Sequence, residues 1–144
     1  MLPAQELEAL AGIDSPTASN AIKAFGVRYA TSGYASMELE HLCPDSGVML
    51  RYALTCLADS TLPAPRRPTN EHDLFEAPVN APKPAVVVMK DVSSDHLRSC
   101  HARDVLCSMF RRLGAVGVVT EGQYVTSWAS GHASLASSSL RRAQ

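Results

Sequence analysis

The chain has 144 residues, a formal net charge of −1 and a hydrophobic fraction of 46%. A chain of this length is most simply one domain that can bury about two thirds of its unfolded surface. The nearly neutral charge gives no electrostatic reason to expect nucleic acid or an anionic membrane as a partner. No apolar run approaches the roughly 20 residues that a membrane span requires.

The cysteines and the amino terminus indicate a cytoplasmic protein. The chain contains four cysteines and no CxxC pair, which is typical of reduced thiols. They are Cys43, Cys56, Cys100 and Cys107. The amino terminus carries Glu6 and Glu8 without a basic start, so it does not resemble a signal peptide.

Two short helices are predicted at the beginning of the chain. Residues 5–11 can form the first. The second begins with Ser15 as N-cap and Pro16 at the first helical position, where the missing proline N–H costs nothing. Gly26 ends this helix, and its apolar stripe should pack on the core. The stripe consists of Ala18, Ala21, Ile22 and Phe25.

Two strands and a long loop are predicted between residues 39 and 72. Residues 39–42 begin a strand before a β-turn at residues 44–47, and residues 48–57 form the next strand. Arg51 interrupts that strand and needs a partner or an exit to solvent, because an unpaired buried charge is unfavourable. Residues 59–72 contain three prolines and form a loop, which is either a lid or a partner-facing segment.

The segment from residue 73 to residue 120 contains the central unit of the predicted fold. Residues 73–79 form one or two helical turns that end near Pro78. Residues 85–89 are apolar and rich in β-branched side chains, which predicts a strand buried on both faces. A helix follows, with Gly114 at its stop position, and residues 116–120 form a second buried strand. The apolar positions of the predicted helix are Val105, Leu106, Met109, Phe110 and Leu113.

This order of elements predicts a βαβ unit of an α/β fold, with parallel strands and a right-handed crossover. Ligands of open α/β sheets usually bind at the carboxyl ends of the strands. Asp91 follows the first strand and Glu121 follows the second. Two carboxylates there could bind Mg²⁺ or could only cap loops, and the sequence leaves both readings open.

A second group of possible metal ligands lies between the two strands. His96, Cys100 and Cys107 would share a face if they lay on one continuous helix. The group lacks the paired short spacings of a structural zinc site, so a partly buried helix face is the more common reading. The chain contains no GxGxxG, GxxxxGK[ST] or GxSxG motif, which removes the common nucleotide-binding and hydrolase signatures.

Several motifs of the chain together carry a resemblance to a known family. Residues 103–106 (Arg-Asp-Val-Leu), Gly114 and residues 117–122 (Gly-Val-Val-Thr-Glu-Gly) are similar to the central region of the RraA-like family. The family pattern is Gly-(Asp/Glu)-Leu-Leu, about twenty residues, then Asp-Gly-x-x-Arg-Asp. Residues 50–55 and 15–21 resemble its strand Val-Gly-Tyr-Ala-Val-Thr and its amino-terminal helix, so the likeness covers roughly residues 10–126.

The resemblance implies a swivelling β/β/α domain over residues 1–130, shortened at the carboxyl end relative to the family. Residues 131–144 are rich in serine and alanine, and we expect a disordered tail there. The family is usually a homotrimer with active sites between subunits, so the resemblance also implies a homo-oligomer.

The family contains divalent-metal-dependent 4-hydroxy-4-methyl-2-oxoglutarate aldolases, which also decarboxylate oxaloacetate, and regulators of ribonuclease E. In its active members the loop amides at a helix start hold the substrate carboxylate, which corresponds here to Arg103, Asp104, Val105 and Leu106. The family's substrate arginine falls on Val125, and its Mg²⁺-binding aspartate falls on Thr126.

These departures leave two predicted functions. The first is a metal-dependent carbon–carbon lyase for small 2-oxo acids, with Asp104, Glu121 or Asp91 supplying the carboxylate that Thr126 lacks. The second is a catalytically inactive relative that acts as an oligomeric binding or regulatory protein with a protein partner. Arg103 could bind a substrate carboxylate in place of the missing arginine, which would support part of the first function.

Overall fold

The computed structural model describes residues 2–33, 39–41, 50–60, 71–95, 98–121, 123–125 and 134–138. The sequence suggests one domain over residues 1–130, whereas the described residues group into two compact units. The amino-terminal unit contains residues 2–33 and 50, and the sheet unit contains the other described residues. Within all of these residues, no helix is long and apolar enough to cross a bilayer.

The amino-terminal unit contains two helices and a short 3-10 turn, which are α1 (Ala4–Ala11), α2 (Ser15–Ala24) and Ala30–Gly33. The two predicted helices are therefore confirmed. The N-cap of α2 is Asp14 and not Ser15, because the Asp14 Oδ1 accepts a hydrogen bond of 2.7 Å from the Thr17 N–H. Gly26 follows α2 with a φ of +62°, a conformation that glycine adopts without strain.

No residue of α2 is buried, so the predicted packing of its apolar stripe is not found within the amino-terminal unit. Phe25, which the apolar stripe includes, is 78% exposed. Helical periodicity in ten residues shows which face is apolar and does not show that a core lies beside it.

The sheet unit contains seven strands and two helices. The strands are β1 (Leu39–His41), β2 (Tyr52–Ala58), β3 (Ala85–Asp91), β4 (Cys100–Arg103), β5 (Ala115–Thr120), β6 (Gln123–Val125) and β7 (Ser134–Ser138). The helices are α3 (Glu71–Asn80) and α4 (Asp104–Arg112). Five strands form one sheet in the order β1–β7–β5–β3–β2, and β4 pairs with β6 in a second.

The centre of the larger sheet is parallel, as the sequence predicts. β2, β3 and β5 are parallel neighbours, with Leu54 beside Val87 and Val87 beside Val118. β7 adds parallel to β5, and β1 pairs antiparallel with β7. The parallel βαβ arrangement of β3, α4 and β5 is confirmed, and the fold is mixed α/β.

The core lies where α4 covers the sheet, and Phe110 on α4 is fully buried. It packs in a cluster with Val87, Met89, Ala102, Cys107, Ala115 and Val118. Val105 and Met109 belong to the apolar positions of the predicted helix, but they are 74% and 38% exposed. At about 100° per residue, positions 105 and 109 lie roughly 140° and 100° away from Phe110 around the helix, whereas Cys107 lies only about 60° away.

The helix α3 continues two residues past Pro78, although the sequence predicts an end near that proline. Pro78 lies in the last turn, so its ring removes one intrahelical hydrogen bond without breaking a long helix. The Lys83 ammonium donates to the Pro78 carbonyl and, at 2.9 Å, to the Leu113 carbonyl. The rings of Phe75 and Phe110 lie 6.5 Å apart. Together these contacts join the ends of α3 and α4.

Other predicted features have mixed outcomes. β1 confirms the strand expected at residue 39, and β2 begins at Tyr52, so Arg51 precedes the strand and is exposed. The predicted turn at residues 44–47 and most of the predicted proline loop lie outside the described residues. β7 lies in the segment for which the sequence suggests a disordered tail.

Candidate functional site

Three polar positions follow the parallel strands at one edge of the sheet. Asp91 is the last residue of β3, Ser60 lies just beyond β2, and Glu121 follows β5. Because β2, β3 and β5 are parallel neighbours, their carboxyl ends meet at the same edge. The two carboxylates that the sequence singles out, Asp91 and Glu121, therefore share this edge. Their surroundings differ.

The side chain of Asp91 is fully buried in a polar cluster. Its Oδ1 accepts a 2.8 Å hydrogen bond from the Ser93 N–H, and its Oδ2 accepts one from the Ser99 hydroxyl. The Ser93 hydroxyl accepts a 2.8 Å bond from the Ser60 N–H, which joins the ends of β2 and β3. We call this group the Asp91 cluster, and its members are Ser60, Asp91, Ser93, Ser99 and His101.

His101 brings the strand β4 to the Asp91 cluster. Its Nε2 lies 3.1 Å from the Asp91 Oδ1, and its side chain is only 10% exposed. That nitrogen makes no hydrogen bond of regular geometry within the described residues, so the contact is a close polar approach outside regular hydrogen-bond geometry. This contact joins β4 to the end of β3.

Asp91 is ionised across the ordinary pH range. Burial alone would raise the pKa of this carboxyl, but the hydrogen bonds from Ser93 and Ser99 and the contact with His101 outweigh burial and lower the pKa below its ordinary value. A carboxylate with these donors is the typical cap of a strand-to-loop turn.

The chemistry of the donors decides how well a magnesium ion would fit at this edge. Both oxygens of Asp91 already accept hydrogen bonds from buried groups, so a hard cation would have to displace these donors from the carboxylate. Glu121 is exposed and is a single carboxylate. Thr126, the other predicted metal position, lies outside the described residues. Within the described part of the chain, the residues present at this edge do not fit a magnesium site.

The second candidate site is the amino end of α4. Arg103 is the N-cap residue, with extended backbone angles of −111° and 164°, and no side chain caps the first turn. Arg103 and Asp104 are exposed, Val105 is largely exposed, and Leu106 is half-buried. The first N–H groups of a helix have no intrahelical acceptor, so this end favours a negatively charged group.

The strand β4 delivers Arg103 to this position. It runs parallel to β6, and Arg103 is the register partner of Val125. Val125 is the position at which the family resemblance places the substrate arginine. The sequence alone leaves these two residues 22 positions apart, and the pairing of β4 with β6 makes them neighbours.

The cysteine and histidine group that the sequence suggests does not lie on one helix. Cys100 lies on β4, Cys107 lies on α4, and His96 is outside the described residues. Burial, followed by the nearby Asp104 and Cys100, raises the pKa of the Cys107 thiol, and burial raises the pKa of the Cys56 thiol. Both thiols therefore stay protonated at neutral pH, which is the state of structural cysteines.

One further set of metal-ligand types lies on the surface of α3. His72, Asp73 and Glu76 offer ligand atoms within 4.8 Å of one another, and all three residues are exposed. The His72 Nδ1 lies 3.5 Å from the Glu76 Oε1, one helical turn away. This is the geometry of an ordinary solvated pair on a helix, and it contributes little on its own.

The sequence did not indicate four members of the Asp91 cluster, namely Ser60, Ser93, Ser99 and His101. Serines after a strand are common turn residues, so their types carry little information. His101 follows Cys100 of the suggested cysteine and histidine group directly, and that position does not indicate a contact with Asp91. A polar residue at a strand end and a histidine ten positions later can be joined only by the path of the loop between them.

Comparisons with known proteins found no match to this chain. No family model matches it, and neither a curated protein nor a solved structure matches it.

Proposed function

We propose that this chain is a divergent RraA-like protein, of the swivelling β/β/α type, that binds a small 2-oxo acid anion at the amino end of α4. The observation that carries the proposal is the register of Arg103 with Val125. A homo-oligomer and a protein partner, which the resemblance implies, belong to the same proposal.

The register supports the interpretation that this chain carries its cationic residue on β4, at Arg103, and not on the neighbouring β6, at Val125. Paired residues of adjacent strands lie about 5 Å apart, and an arginine side chain can span that distance. Arg103 can thus supply a guanidinium near the place where the family's arginine would begin at Val125. A guanidinium binds a carboxylate with two parallel hydrogen bonds, which gives both affinity and orientation.

The first turn of α4 supplies the remaining attraction for an anion. Its N–H groups and the helix dipole favour negative charge, while the Asp104 carboxylate opposes it. The positive charge of Arg103 offsets the negative charge of Asp104. The N–H groups of the first turn then provide the net attraction for a bound carboxylate. An open groove of about 310 Å³ begins at this end of the helix, which leaves room for a small acid. It is lined by Asp104, Val105, Ser108, Met109 and Arg112.

Binding without carbon–carbon cleavage is the function that the described residues support. In the lyases of the family, a magnesium ion polarises the keto oxygen and stabilises the enolate. Here Asp91 is held by buried donors, and Glu121 is exposed. The lyase reading remains the alternative, with Glu121 as its carboxylate.

Titration calorimetry with oxalate, a stable analogue of the pyruvate enolate, tests the binding proposal. Replacing Arg103 with alanine should weaken oxalate binding at least about tenfold, because a charge-assisted pair is lost. Arg111→Ala is the matched control, since it removes an exposed arginine that lies in the last turn of the same helix and does not line the groove, and it should change affinity less than about twofold. Unchanged affinity in Arg103→Ala would remove the proposal.

A second experiment decides between binding and lyase activity. Pyruvate release from oxaloacetate and from 4-hydroxy-4-methyl-2-oxoglutarate would be measured with magnesium and then with a chelator. We expect no release above the metal-only background. Turnover that chelation abolishes and that Glu121→Gln reduces would instead establish the lyase, with Glu121 as the metal ligand.

A further inference from the structure

His101, which contacts Asp91, lies two residues before Arg103, the residue that binds the anion in the proposed function. Consecutive Cα atoms are about 3.8 Å apart, so Arg103 begins no more than roughly 7 Å along the chain from His101. Ala102, between them, is buried in the core cluster. The strand β4 is thus held by an apolar contact at Ala102 and by a polar contact at His101, the residue before it.

The Asp91 cluster connects this strand to the ends of β2 and β3. Asp91 is held by Ser93 and Ser99, and Ser93 is bonded in turn to Ser60. These bonds do not require His101, so the carboxylate keeps a defined position when the histidine is absent. His101 depends on Asp91, whereas Asp91 depends chiefly on the serines.

We propose that His101 and Asp91 form a positioning pair, which fixes the last residues of β4 so that Arg103 stands where it can bind the anion. This inference rests on the proposed function and adds to it a determinant of ligand affinity outside the binding site. Neither residue touches the ligand. Each acts through Arg103, and displacement of a binding group by about 1 Å is enough to cost much of its contribution.

Oxalate affinity in three variants tests the pair. His101→Leu keeps a similar volume and removes the ring nitrogen, and we expect about tenfold weaker binding. His101→Gln places an amide N–H close to the position of the imidazole Nε2, and it should restore affinity to within about threefold. The matched control is His72→Leu, which removes an exposed histidine beside a carboxylate and should leave affinity unchanged.

A double-mutant cycle separates positioning from a general loss of structure. In the Arg103→Ala background, His101→Leu should change oxalate affinity less than about twofold, because the group that it positions is already gone. Equal effects of His101→Leu in both backgrounds would overturn the positioning pair. If Arg103→Ala weakens binding and His101→Leu does not, only this inference fails. If Arg103→Ala has no effect, the proposed function fails.

NMR spectra of the protein without ligand provide a second test of the positioning pair. In ¹H–¹⁵N spectra, His101→Gln should leave the amide signals of residues 103–106 near their original positions, and His101→Leu should shift them. If His101→Leu does not fold, Ser99→Ala takes its place, since it removes one donor to Asp91 and should shift the same signals by less. Unmoved signals in a folded variant would overturn the pair.

Discussion

Residues of the same type stand in opposite surroundings in the two units of the chain. Phe25 follows α2 and is 78% exposed, whereas Phe110 on α4 is fully buried. Asp14 is an exposed helix cap, and Asp91 is a buried carboxylate that joins three segments. The amino-terminal unit is therefore stabilised mainly by contacts between near neighbours in sequence, and the sheet unit by contacts between distant ones.

This difference shows that similar sequence signals carry very different energetic weight. Both aspartates have a lowered pKa, the first because of the Thr17 side chain and backbone N–H, and the second because several buried donors outweigh its desolvation. Substitutions in matched pairs measure the difference directly. Hydrogen exchange by mass spectrometry reports on each unit separately, and urea unfolding gives the free energy.

The largest expected difference lies between the two phenylalanines. Phe110→Ala should lower the free energy of unfolding of the sheet unit by about 3–5 kcal/mol, because it leaves a cavity between α4 and the sheet. Phe25→Ala should change the free energy of unfolding by less than about 0.5 kcal/mol, since its ring is mostly in water already. Equal losses in urea unfolding would show that α2 has a buried partner after all.

The two aspartates should give the next largest difference. Asp91→Asn should cost about 1–3 kcal/mol, because the new NH₂ group would face a backbone or hydroxyl donor that the carboxylate now accepts from. Asp14→Asn should be nearly neutral, since asparagine is an equally good N-cap. Urea unfolding at neutral pH measures both variants, and a neutral Asp91→Asn would contradict the structure of the cluster.

The pH dependence of stability sharpens the same comparison. The pKa of folded Asp91 lies below its ordinary value of 3.8, so the unfolded chain takes up the proton first as the pH falls. The stability that this carboxylate contributes is complete above that value and is lost as the pH falls from about 5 towards the folded pKa. Asp91→Asn should flatten the acid side of the stability curve.

The smallest expected difference lies between two glycines that end helices. Gly26 and Gly114 both have a positive φ, so an alanine at either position costs about 1–2 kcal/mol of backbone strain. An added Cβ at Gly26 meets nothing within 4 Å, whereas one at Gly114 lies 2.9 Å from the Lys83 Nζ. Gly114→Ala should therefore destabilise by about 1 kcal/mol more, because Lys83 must leave the carbonyls that it joins. Equal losses would show that Lys83 relocates freely.

Much of the sheet unit could be predicted from local sequence. The apolar runs at residues 85–89 and 116–120 and the glycine at position 114 gave β3, β5 and the end of α4, because β-branched runs and positive φ values are local signals. The face of α4 was predicted less well. Five apolar residues span about 140° of the helix circumference. Only packing on the sheet selected Cys107 and Phe110 over Val105 and Met109.

The candidate site was predictable only in part. Asp91, Glu121 and residues 103–106 were identified as strand ends and a helix start, and the structure places them there. The donors of Asp91 and the neighbour of Arg103 were not identified. Each of these partners is distant from its target or joined to it by an irregular loop, and sequence periodicity carries no information about such pairs.

The sequence by itself determined the order and type of the central elements, because strand and helix signals depend on residues a few positions apart. It also determined which polar residues follow the strands. Only the tertiary structure decided which of them are buried, that Asp91 binds inward and Glu121 faces solvent, and that Arg103 stands beside Val125. Those outcomes depend on strand pairing and loop path, which bring together residues whose separation along the chain says nothing about their distance in space.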